Sequence, residues 1–121
     1  KRTLFMNHSE VSPIEQLRRM VTEQKTMRMP EDTLDDPELI DAQVRINAYD
    51  RLVTSTVTMV ITGQPVEIVS VMYDPDLDAE LSALHQNREG RARQLVEQYR
   101  AYKVRLDKMM GLAMKIARER K

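Results

Sequence analysis

Apolar positions recur along this chain in two rhythms. From Pro37 to about Leu52, the residues Leu39, Ala42, Ile46, Tyr49 and Val53 alternate at spacings of three and four, which is one face of an amphipathic helix over about 37–52. Ile14, Leu17, Met20 and Val21 trace a shorter stripe that predicts a helix over about 13–28, with Pro30 stopping it. Towards the C-terminus, Leu95, Tyr99, Tyr102, Leu106, Met109, Ala113 and Ile116 keep the same alternation inside a helix expected over about 75–119. Its weak point is Asn87-Arg88-Glu89-Gly90, where glycine favours a break near 87–90. So long a seam suits packing against another helix of the same or a neighbouring chain.

The second rhythm is that of a strand. Eight of the ten residues from Val53 to Thr62 are β-branched, and Val53, Ser55, Val57, Met59 and Ile61 fall on one side of an alternating pattern. Gly63-Gln64-Pro65 supplies a turn and Val66 to Tyr73 is again rich in strand formers, so a β-hairpin over 53–73 is the first reading. An isolated hairpin is marginal in water and would have to lie on the helices or join other subunits. Val53, Thr56 and Val60 also continue the helical stripe, which leaves a competing all-α reading in which the second helix runs to about 61. The expected fold class is therefore mainly α, three helices with a hairpin.

Three helix starts share one chemistry: Ser12-Pro13-Ile14-Glu15, Asp36-Pro37-Glu38-Leu39 and Asp74-Pro75-Asp76-Leu77. In each, a side-chain oxygen at the cap position can accept an unpaired backbone N–H, and proline follows where no donor is needed. Ser12 with Glu15 fits a capping box, and the acids after Asp36 and Asp74 suit the positive end of the helix dipole.

Length and composition narrow the class. At 121 residues, with 41% hydrophobic and 31% charged residues, the chain reads as one domain over 1–121, too apolar to be wholly disordered and too polar to be a membrane protein. The first eight residues lack the apolar run of a secretion signal, so the expected location is intracellular, the cytoplasm. A chain that opens without Met also reads as a fragment of a longer one. With no cysteine there is no disulfide, thiolate metal site or thiol nucleophile.

The net charge of zero averages over unlike segments. Residues 1–29 carry six basic and three acidic side chains, residues 30–80 two basic and twelve acidic, and residues 88–121 eleven basic and four acidic. That asymmetry points to a basic surface for a polyanion, or to acidic and basic faces that pair within or between subunits.

Candidate chemistry is sparse. His8 and His85 stand in no metal-ligand spacing, so no metal site is expected. Asp74, Asp76 and Asp78 have the spacing that opens a calcium loop, but Ala79 replaces the required glycine and His85 the terminal glutamate. The three glycines are isolated and cradle no phosphate, and no serine has a nucleophile-elbow context, so the chain reads as non-enzymatic and free of cofactors. Nine methionines suit helix packing better than an adaptable groove. What remains is phosphate-backbone binding by Arg91, Arg93, Arg100, Lys103, Arg105 and Lys108, with Leu95, Tyr99, Tyr102, Leu106 and Met109 as the expected oligomer interface. With Phe5 and four tyrosines the only aromatics, there is no stacking platform for single-stranded bases, so duplex DNA is the expected nucleic acid.

Ser12-Pro13-Ile14-Glu15-Gln16-Leu17, an acidic spacer, and then Asp36-Pro37-Glu38-Leu39-Ile40-Asp41-Ala42-Gln43-Val44-Arg45-Ile46-Asn47-Ala48-Tyr49 resemble bacteriophage terminase small subunits. The resemblance implies a DNA-packaging component that forms a homo-oligomeric ring through helical cores, recognises viral DNA and regulates an ATP-driven large subunit in a bacterial host. The chain departs from many members in having no clear helix-turn-helix at its start, which shifts the expected DNA contact to residues 88–121. The alternative is a structural helical scaffold or adaptor without nucleic-acid contact, its cations pairing with Asp32, Asp35, Asp36 or Asp41.

Overall fold

The structure, a computed structural model, describes residues 11–66 and 74–120. Within them are four helices and no strand: α1 (Pro13–Thr26), α2 (Pro37–Ile61), α3 (Pro75–Asn87) and α4 (Gly90–Glu119). The longest, α4, at 30 residues spans about 45 Å, and α1, α2 and α3 all pack against it.

The expected hairpin is corrected by α2, which continues through Val53–Ile61 without interruption. Its supposed second strand falls mostly on residues 67–73, outside the described residues. The physical reason is burial. Val53, Val57 and Val60 extend the stripe of Leu39, Ala42, Ile46 and Tyr49 and are all but fully buried. Each buried valine contributes about 1.5–3 kcal/mol, against a few tenths of a kcal/mol of lost helix propensity for each β-branched residue. The turn residues take a different job. Gly63, at φ +80°, donates its N–H to the Val60 carbonyl at 3.2 Å, and Gln64 donates to that of Met59 at 2.8 Å, a Schellman termination of α2.

The helix starts use their caps unequally. Ser12 Oγ accepts the Glu15 N–H at 3.3 Å and Asp36 Oδ1 the Glu38 N–H at 3.0 Å. Asp74 stands at the N-cap of α3 but makes no side-chain cap bond, because its carboxylate accepts from Arg45 Nε at 2.7 Å instead. The long C-terminal helix expected over 75–119 is two helices, α3 and α4, joined by extended Arg88 and Glu89, with Gly90 at φ +58° opening α4.

The acidic segment 30–36 is pinned. Asp32 Oδ1 accepts the Leu34 N–H at 2.9 Å, Gln43 Nε2 donates to the Pro30 carbonyl at 2.8 Å, and the Tyr99 hydroxyl donates to the Asp32 carbonyl at 2.8 Å. These bonds hold Leu34 and Asp35 in the left-handed region, at φ +54° and +57°.

Candidate polyanion-binding face

The expected interface residues Leu95, Tyr99, Tyr102, Leu106 and Met109 lie in the chain's own core, with Leu17, Leu39, Ile46, Val53, Leu77 and Leu81. The heptad seam of α4 therefore packs against helices of the same chain. Their two hydroxyls are used internally. That of Tyr99 holds segment 30–36, and that of Tyr102 donates to Asp50 Oδ2 at 2.6 Å. Burial pushes the Tyr102 phenol up to about 12, with the hydrogen bond to Asp50 acting in the same direction, and burial likewise raises Tyr99.

The expected phosphate-binding cations divide into three groups. Lys103 is only 1% exposed. Its ammonium donates to Asp78 Oδ1 at 3.0 Å and to both oxygens of Asp107 at 3.0 and 2.9 Å, and lies 5.3 Å from the centre of the Tyr49 ring. Burial works against its charge, but the hydrogen bonds to Asp107 and Asp78 outweigh that penalty and raise its pKa. Arg105 is half-buried and engaged by α1, donating to Gln24 Oε1 at 3.1 Å and Glu23 Oε1 at 3.0 Å.

Arg91 and Arg93 form the second group, near the start of α4. Arg91 reaches Asp32 only at 4.0 Å with both side chains about half exposed, and Arg93 donates to the His85 carbonyl at 2.9 Å. The third group is Arg100 and Lys108. Both are exposed and make no ion pair among the described residues, as do Lys115 and Arg118 further along the same helix. At 100° per residue, positions 93, 100, 108, 115 and 118 fall within a sector of about 80° on the side of α4 opposite the core. Lys115 and Arg118 belong to this face as fully as Arg100 does, and the continuing helical period carries the signal that identifies them.

Two clusters that the sequence reading did not find engage five of the twelve carboxylates of the acidic segment. Arg45 is bound by Asp41 at 3.1 Å, by Asp74 at 2.6 Å and by Glu80, so one guanidinium ties α2 to the start and middle of α3. Burial opposes its charge, while the hydrogen bonds it donates to Glu80, Asp74 and Asp41 more than offset this and raise its pKa. Arg88, between α3 and α4, grips the Asp36 carboxylate at 2.8 and 3.1 Å and Glu38 at 2.6 Å. The Arg88 hydrogen bond holds the Asp36 carboxyl below its ordinary value, against the effect of burial. No pattern of adjacent residues signals either cluster, since the partners lie 29 to 52 positions apart, the Asp41–Arg45 contact excepted. Among the described residues no group of three or more His, Cys, Asp or Glu is placed to hold a metal ion, and no helix is long and apolar enough to cross a membrane.

No protein-family model, curated protein or solved structure matches this chain.

Proposed function

We propose that this chain is a non-enzymatic subunit that binds the backbone of duplex DNA through the outer face of α4, in a viral genome-packaging assembly of the terminase type. One observation carries the DNA reading: Arg100, Lys108, Lys115 and Arg118 share the solvent side of α4, and none of them forms an ion pair with a carboxylate of the described residues, although Glu97 lies on the same side. Internal pairing consumes Lys103, Arg105 and Arg88, so this row, with Arg93 beside it, is what the basic C-terminal segment leaves on that face for a partner. A row of cations on a rigid helix neutralises phosphates and releases their counterions without reading bases. The packaging context rests on the resemblance of residues 12–49 alone, and with it the ATP-driven large subunit as a partner.

The structural scaffold is the second reading, and a specific observation favours it: Arg88 joins Asp36, and Arg91 approaches Asp32, so part of the basic segment already pairs with the acidic one. A fluorescence anisotropy titration against a duplex oligonucleotide at several salt concentrations separates the two. Each lost phosphate contact lowers the slope of log affinity against log salt by about 0.9, so Arg100→Ala/Lys108→Ala is expected to flatten it by about two. Lys103→Met is expected to leave the slope unchanged, because that ammonium faces Asp78 and Asp107. Absence of duplex binding at low salt, or a slope insensitive to the double substitution, would replace the DNA reading with the scaffold.

A further inference from the structure

We infer that the outer face of α2 is a self-docking surface, on which α2 of a second copy of this chain lies antiparallel. Among the described residues, four of the five large hydrophobics that stay exposed belong to α2 or the turn before it, Leu34, Ile40, Val44 and Leu52, with Ile40 43% and Val44 58% accessible. Asp41, Val44, Ala48 and Arg51 follow one another at spacings of three, four and three, so they form a single stripe directed away from the core. The stripe is self-complementary. Asp41 and Arg51 are placed symmetrically about position 46, and so are Val44 and Ala48. One twofold axis through that position therefore sets Val44 against the partner's Ala48 and Arg51 against the partner's Asp41, on both sides at once.

The charges select this occupant. Arg51 is exposed and makes no ion pair among the described residues, and the Asp41 side chain is 61% exposed with only Arg45 on one oxygen, at 3.1 Å. A parallel pairing would stack Arg51 on Arg51 and Asp41 on Asp41. The antiparallel one converts both repulsions into attractions, and Ile40 and Leu52 then flank the seam and exclude water from its edges. One helix pair buries less than the roughly 1,200 Å² of a standard stable interface, so the dimer is expected to form at high micromolar concentration and to dissociate on dilution. This pairing stands apart from the DNA reading, since it uses α2 and leaves the outer face of α4 uninvolved.

Sedimentation equilibrium over a concentration series tests it. The chain is expected to move from 14.1 kDa towards twice that mass as concentration rises. Val44→Asp is expected to weaken association at least tenfold while the helical circular dichroism and melting temperature hold, because the substituted side chain is solvent-exposed. Arg51→Glu, which sets two acids against each other, is expected to weaken it similarly, and Asp41→Lys/Arg51→Glu to restore it to within about threefold. A wild-type mass that stays at 14.1 kDa throughout, an association unaffected by Val44→Asp, or a charge reversal that folds but fails to restore dimerisation would each overturn the proposal.

Discussion

Lys103 shows how one residue changes meaning once its neighbours are known. In the sequence it is one of a run of cations, whereas in the fold it fills the space between α2, α3 and α4 with its three donors satisfied by two carboxylates. Replacing it with Met keeps most of the packing volume but leaves Asp78 and Asp107 facing each other. Both remain partly accessible to water, so the expected loss is about 1–3 kcal/mol, short of the 3–5 kcal/mol seen when a deeply buried pair is broken. A shift in urea midpoint measures it. The alkaline limb of stability belongs to the same region. The folded-state pKa values of Lys103, Tyr99 and Tyr102 are all raised, so the stability they contribute is complete below the unfolded values and is lost as pH rises through the folded ones. For Tyr102 that window runs from 10.0 to about 12. The expected result is a melting temperature that falls across it, less steeply in Tyr102→Phe, whose ring has no proton to lose.

At the scale of elements, the start of α2 and the junction of α3 with α4 form one joint. Asp36 caps the Glu38 N–H with Oδ1, while both its oxygens accept from Arg88. Asp36→Asn keeps a capping oxygen and loses the ion pair, whereas Asp36→Ala loses both, and a lost cap costs about 1 kcal/mol. Chemical denaturation is therefore expected to rank wild type above Asp36→Asn, and Asn above Ala. Because the folded-state pKa of Asp36 is lowered, its contribution is present above 3.8 and is lost as pH falls through the folded value, and neither variant should show that loss. The helix that replaces the expected hairpin has its own check. A hairpin sets Ser55 on the same side as Val57, while the helix exposes Ser55 and buries Val60. Ser55→Glu is expected to change stability by less than about 0.5 kcal/mol, and Val60→Ser to lower it by about 2–4 kcal/mol.

For the molecule as a whole, the separation of charge along the chain is only partly folded away. The acidic segment 30–80 receives Arg88 and Lys103 from the basic one and spends Asp41, Asp74 and Glu80 on its own Arg45. An interaction carried by the unpaired cations on the outer face of α4 should weaken steeply with added salt.

Local chemistry set where α1, α2 and α3 begin and which face of each helix is apolar, because capping residues, proline at the first turn and three-and-four spacing act within a few residues of one another; the start of α4 has no such signal beyond the glycine at 90. The sequence also held the signs for the end of α2, since glycine followed closely by proline is a helix stop as well as a turn. Packing across the fold selected between those two uses, because the propensity of residues 53–62 for strand is outweighed by the burial of Val53, Val57 and Val60 against the rest of the core. Tertiary structure also decided that the α4 seam faces inward and that, of the six cations expected to bind phosphate, Lys103 and Arg105 are taken by carboxylates from α1 and α3 as well as from α4 itself. Apart from the i,i+4 pairs Lys103–Asp107 and Arg45–Asp41, these pairings depend on proximity in space across 25 to 82 positions of sequence, and no local pattern encodes that proximity.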